Sequence, residues 1–237
     1  MHRCASLFLI VLLAACGGAD DSAPRALPGD GASRVAGPEA GAAAAPTIPA
    51  GSPVVVFLGD SLSAGLHLPA DQAFPAVAQR ELAAAGLPFE LLNAGVSGDT
   101  TAGGLRRIDW VLARKPAVVV VELGGNDGLR GQDLASVETN LRAIVARAKG
   151  SGARVLLLGI DVPTSLGPDY SRDFAALYER VAAAESVPLV PHFLAGVGGV
   201  ARLTLEDGLH PTPEGHRLLA QNLLPALRTE LEALVSR

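Results

Sequence analysis

Beyond Pro53 the chain alternates short apolar runs rich in Val and Leu with longer segments whose apolar residues recur at helical spacing. Few architectures accept that alternation, because a strand followed by a crossover helix and another strand builds a parallel sheet with helices over its faces. Strands are expected at residues 54–58, 90–93, 118–122 and 155–160, with a short fifth at 188–190. The run Val118-Val119-Val120-Val121 shows no polar alternation, as a central parallel strand buried on both faces requires. Helical spacing covers 71–85, 105–114, 134–149 and 173–185, and 214–235 closes the chain behind Thr212 as N-cap and Pro213 as first helical residue. The expected fold class is α/β, a three-layer α/β/α sandwich around a central parallel sheet of about five strands, built as one domain over residues 53–237.

The residues ahead of that domain read differently. Met1-His2-Arg3 is weakly positive, and 5–15 is an apolar run ending in small residues, too short for the roughly 20 residues of a membrane-spanning helix. Residues 1–15 are therefore expected to be a signal peptide. Leu13-Ala14-Ala15-Cys16 resembles the lipobox of bacterial lipoproteins, which implies lipidation at Cys16, export, and a membrane as partner on the periplasmic or cell-surface side. Residues 17–52 are dominated by Ala, Gly, Pro and Ser and contain no aromatic residue, so they form a linker. As a flexible coil it would reach roughly 30 to 36 Å.

Composition narrows the partners. The formal charge of −5 becomes −6 without the leader's Arg3, and the densest basic pairs, Arg106-Arg107 and Arg114-Lys115, read as solvated helix faces. Nucleic acid is not expected as a partner. Cys16 is the single cysteine outside the leader, so no internal disulfide is available to the exported chain, and a monomer resting on its core is expected. His67, His192 and His216 share no metal-ligand spacing, and no nucleotide-binding glycine motif follows a strand, so neither metal nor cofactor is assigned. Trp110 and the helix Phe and Tyr residues read as packing.

In a parallel sheet the carboxyl ends of the strands open onto the ligand crevice. Four blocks fall there or near it: Gly59-Asp60-Ser61-Leu62-Ser63, then Val96-Ser97-Gly98-Asp99-Thr100, then Glu122-Leu123-Gly124-Gly125-Asn126-Asp127, and near the C-terminus Asp207-Gly208-Leu209-His210-Pro211. Each alone is weak, since a Gly-Asp-Ser turn or an Asp three residues before a His is common. Together they supply a nucleophile, a base, an orienting acid and oxyanion donors, the set that acyl transfer needs. A serine hydroxyl requires a neighbouring base, which His210 can be, and Asp207 can hold the other ring nitrogen from the same loop. Asp60 and Asp99 could be further acids, but each more simply hydrogen-bonds its own turn.

In this order, the blocks resemble the GDSL or SGNH hydrolase family over nearly all of the domain, nearest to its bacterial thioesterase I, lysophospholipase and arylesterase branch. The resemblance implies a flavodoxin-like sheet, Ser61 as nucleophile, Asp207 and His210 as its partners, and Ser61, Gly98 and Asn126 as oxyanion-hole donors. It implies hydrolysis of a small-molecule or lipid ester or thioester. Gly128-Leu129-Arg130-Gly131 resembles a mobile loop beside the site, and Leu62, Leu129, Ile160 and Val162 are expected along the substrate. A sugar acetylesterase and a silent envelope lipoprotein remain open alternatives, because a fold does not fix a substrate.

Overall fold

The computed structural model describes residues 45–236. The expected signal segment, Cys16 and the linker up to residue 44 lie outside the described residues. Five strands, β1 (Val54–Gly59), β2 (Glu90–Gly95), β3 (Val118–Glu122), β4 (Arg154–Leu158) and β5 (Leu189–Val190), form one parallel sheet in the order β2-β1-β3-β4-β5. This is the flavodoxin-like order, in which connection direction reverses between β1 and β3. Every residue of β3 is buried, in keeping with its unbroken Val run.

Crossovers between parallel strands are right-handed, so the one connection that runs from β1 to β2 lies on the opposite face from those running the other way. Helix α2 (Phe74–Ala84) accordingly packs with the closing helix α7 (Pro213–Val235), while α3 (Thr101–Leu112), α5 (Leu134–Gly150) and α6 (Pro168–Glu185) pack in series. The result is the expected three-layer sandwich, its core made by both sheet faces. Arg154 of β4 and Glu230 of α7 add a two-point ion pair at 2.6 and 3.1 Å.

The element boundaries differ from expectation where glycine or proline hides the period. α3 begins at Thr101 rather than Leu105, since Gly103 and Gly104 lack apolar side chains yet pack closely, and Thr100 caps it by accepting from Gly103 N–H at 3.2 Å. α2 begins at Phe74, later than residue 71: residues 70–72 form a separate 3₁₀ turn, Ala73 is extended, and Pro75 sits in the first helical turn, where its missing N–H costs nothing. α6 starts five residues early, at Pro168, and β4 ends at Leu158, which leaves Ile160 in the loop beyond it. Thr212 caps α7 as expected. Trp110 corrects the packing assignment: it is 61% exposed on the outer face of α3, whereas Phe74, Phe174 and Tyr178 are buried.

Candidate active site

β1 delivers Asp60 and Ser61 directly into a one-turn helix, α1 (Ser61–Ala64), and that abrupt change of direction lifts the Ser61 hydroxyl to the crevice. Asp60 caps the turn, its Oδ1 accepting from Leu62 N–H at 3.0 Å. Gly65 ends it in the left-handed region at φ 68°, which a residue with a Cβ would resist. The 207–210 loop folds back across the crevice before α7. His210 Nε2 lies 2.9 Å from Ser61 Oγ, and His210 Nδ1 lies 2.6 Å from Asp207 Oδ2.

Hydroxyl, imidazole and carboxylate therefore stand in series, as expected. Asp207 is locked by its own loop, since its Oδ1 accepts from the backbone N–H groups of Leu209 at 2.8 Å and His210 at 2.9 Å. The hydrogen bond with the His210 ring, then these two amides, holds the Asp207 carboxyl well below the usual carboxylate range. With Nδ1–H donated to Asp207, Nε2 is free to accept the serine proton.

The expected oxyanion donors come from the ends of three adjacent strands. Ser61 follows β1, Gly98 follows β2 at φ 79°, and Asn126 sits in a second short helix, α4 (Gly125–Leu129), after β3. Among the described residues neither the Ser61 nor the Gly98 amide has a hydrogen-bond acceptor, so both remain free to donate to a substrate. The Asn126 amide nitrogen donates to Asp60 Oδ2 at 3.0 Å, which fixes the side chain and leaves its second N–H. Residues 128–129, expected in a loop, instead complete α4, and Leu129 projects to the site from its end.

Sequence reasoning missed the layer beneath. Glu122, at the end of β3, is fully buried; its Oε2 accepts from Ser63 Oγ at 2.7 Å and from the backbone N–H groups of Ser63 and Asp60 at 3.2 and 3.3 Å, pinning the turn that carries Ser61. Burial, then the neighbouring Asp60 carboxylate, pushes Glu122 well above the carboxylate range. Burial likewise pushes Asp60 up to about 6, against the pull of its Leu62 and Asn126 donors. Asp127 accepts from Thr101 N–H at 2.9 Å and Thr101 Oγ1 at 2.7 Å, which joins α4 to the start of α3. A single charged residue closing an otherwise all-valine strand was the signal that could have drawn attention to Glu122.

The other histidines divide as solitary residues do. His216 is buried, its Nδ1 accepting from Phe74 N–H at 3.2 Å, and burial pushes it down to about 4. His192 pairs with Asp161 at 2.9 Å, and His67 meets the His210 ring edge-on at 6.1 Å between centroids.

A cavity of about 530 Å³ opens beside Ser61 and His210. Leu62, Leu129, Ile160 and Val162 all line it, together with Leu194 and Leu209, which the sequence did not suggest.

A serine, imidazole and carboxylate in series at the switch point of a parallel sheet, beside a largely apolar cavity, define a serine hydrolase of the α/β class. A match to the model of the GDSL-like lipase/acylhydrolase family covers residues 57–218, and the chain belongs to that family. It is 46% identical over 180 residues to the esterase TesA of Pseudomonas aeruginosa, spanning 76% of this chain and 90% of that protein. It is 37% identical over 172 residues to the thioesterase 1/protease 1/lysophospholipase L1 of Escherichia coli K12, spanning 72% and 81% respectively. The crystal structure of the psychrotrophic esterase EstA from Pseudoalteromonas sp., inhibited by monoethylphosphonate, superposes with a TM-score of 0.72 at 31% identity, covering 76% of this chain and 98% of that one.

Proposed function

We propose that this chain hydrolyses carboxylic esters and thioesters through an acyl intermediate on Ser61. The observation that carries the reading is the unbroken series from Ser61 Oγ through His210 to Asp207, at 2.9 and 2.6 Å. Nε2 of His210 takes the hydroxyl proton as Ser61 Oγ attacks the acyl carbon, and Asp207 stabilises the imidazolium that results. The carbonyl oxygen becomes an oxyanion, which the unpaired amides of Ser61 and Gly98 and the second N–H of Asn126 serve to stabilise. His210 then returns the proton to the leaving alcohol or thiol. Water repeats the sequence on the acyl-enzyme and releases the acid.

The apolar lining from Leu62, Leu129, Ile160 and Val162 suits an acyl chain or aryl group, and relatives named esterase and thioesterase support both leaving-group classes. Rates on p-nitrophenyl esters from acetyl to decanoyl, with an acyl-CoA alongside, test the reading. Activity that rises beyond the acetyl ester supports it, whereas activity confined to acetyl esters favours a sugar acetylesterase. The same reading takes the chain to be exported, monomeric and held at a membrane by lipid on Cys16, supported by Leu13-Ala14-Ala15-Cys16 and the Ala/Gly/Pro linker behind it.

A further inference from the structure

Arg107 was expected on a solvated helix face, yet its side chain is only 20% exposed. Each of its three nitrogens donates to a different acceptor. Nε reaches Asp99 Oδ2 at 2.7 Å, Nη1 reaches the Ala94 carbonyl at 2.6 Å, and Nη2 reaches the Gly59 carbonyl at 2.9 Å. Gly59 ends the strand that carries Ser61, Ala94 lies at the end of the next strand, and Asp99 directly follows Gly98. One rigid planar cation thus ties the nucleophile's strand to the loop that presents the Gly98 amide.

We propose that Arg107 is a positioning residue that holds the Gly98 N–H in register with Ser61, and so sets the geometry of the oxyanion hole. The loop has few other anchors. Val96 N–H donates to Gly59 O and Asp99 N–H to Val96 O, both at 3.0 Å, and Arg130 Nη2 reaches the Gly98 carbonyl at 3.1 Å from an exposed side chain, while Val96, Ser97 and Gly98 are exposed. Asp99 reaches Arg107 because Gly103 leaves room: a Cβ there would collide with Asp99 Oδ1. The second oxygen is used too, accepting from Thr100 N–H at 3.1 Å. A lysine could keep the charge but not the fork, since its single ammonium cannot reach three diverging acceptors in the same plane. Oxyanion donors act only when already aimed, and misplacement by about 1 Å can cost on the order of 10²-fold in rate.

This inference rests on Ser61 as nucleophile and Gly98 as oxyanion donor. The test compares wild type with Arg107→Lys, Arg107→Ala and Asp99→Asn on p-nitrophenyl butyrate, with kcat counted per active site by titration with a fluorophosphonate. Arg107→Ala is expected to lose about 10- to 100-fold in kcat per titrated site with KM little changed, and Arg107→Lys to recover only a small part. Guanidinium chloride at millimolar concentration should restore part of the Arg107→Ala rate, whereas the same concentration of sodium chloride should not. If Arg107→Ala does not fold, Asp99→Asn decides, with a smaller loss of the same kind expected. A folded Arg107→Ala or Asp99→Asn protein with wild-type kcat per site would overturn the proposal, because a residue that served folding alone would change yield and Tm and leave that ratio intact. Wild type that neither hydrolyses the ester nor takes the phosphonate would instead remove the Ser61 reading, and this proposal with it.

Discussion

The Asn126 amide nitrogen donates to Asp60 Oδ2 at 3.0 Å, so the residue before the nucleophile orients a candidate oxyanion donor that lies 66 positions further along the chain. A primary amide has two N–H groups, and committing one to Asp60 aims the other. Asn126→Ala should therefore lower kcat by about 10²- to 10³-fold with modest change in KM. Asp60→Ala leaves Asn126 present but unheld and should cost less, about 1–3 kcal/mol of transition-state stabilisation. Steady-state kinetics on one ester resolve the order; equal activity of Asp60→Ala and wild type would show that Asn126 needs no support.

Acid should weaken the fold through His216. Its folded value of about 4 lies below the ordinary imidazole value of 6.5, so between those limits the unfolded chain binds the extra proton and stability is lost as pH falls. The full difference is up to about 3 kcal/mol. Asp60 acts with the opposite sign, since its folded value of about 6 exceeds 3.8 and its contribution declines as pH rises through that window. His216→Gln, able to accept from Phe74 N–H without titrating, separates the two. The stability difference between wild type and this variant should grow in favour of wild type from pH 4 to 6.5 in urea unfolding, and a constant difference would refute the assignment.

Chain-length preference should follow Leu129, which lines the cavity from the end of α4. Leu129→Trp is expected to cut kcat/KM for an octanoyl ester about 10-fold relative to the acetyl ester, within the 1–3 kcal/mol of an altered apolar pocket. An equal fall for both esters would place the acyl chain elsewhere.

Anchoring is tested apart from catalysis. Cys16→Ser, expressed in a bacterial host, should move the protein from the membrane to the soluble fraction while leaving esterase activity unchanged. A variant that stays with membranes would remove the lipidation reading.

Much of this was legible in the residues because the signals were local. Unbroken apolar runs mark strands buried on both faces, and Val118 to Val121 became the central β3. Gly-rich blocks at strand ends mark the crevice: Ser61, His210 and Asp207 meet there in series, Asn126 lines the same cavity, and Gly98 lies in the loop that follows β2. Long-range pairings were hidden. Nothing local in Arg106-Arg107 distinguishes the solvated residue from the one whose guanidinium turns inward, because that depends on carbonyls 13 and 48 positions away. Trp110 failed for the converse reason: an aromatic residue in an amphipathic helix is assigned inward by type, although its place on α3 faces out. Glycines in α3 and α4 hid helices, since close packing against a glycine leaves no apolar period to read.

The most direct test of the whole account is intact-protein mass spectrometry after brief exposure to a fluorophosphonate, with peptide mapping of the adduct. One phosphonyl group on Ser61 is expected, absent from Ser61→Ala and formed far more slowly in His210→Ala, alongside loss of ester hydrolysis in both variants. A Ser61→Ala protein that hydrolyses esters at the wild-type rate, or an adduct mapped to another residue, would contradict it.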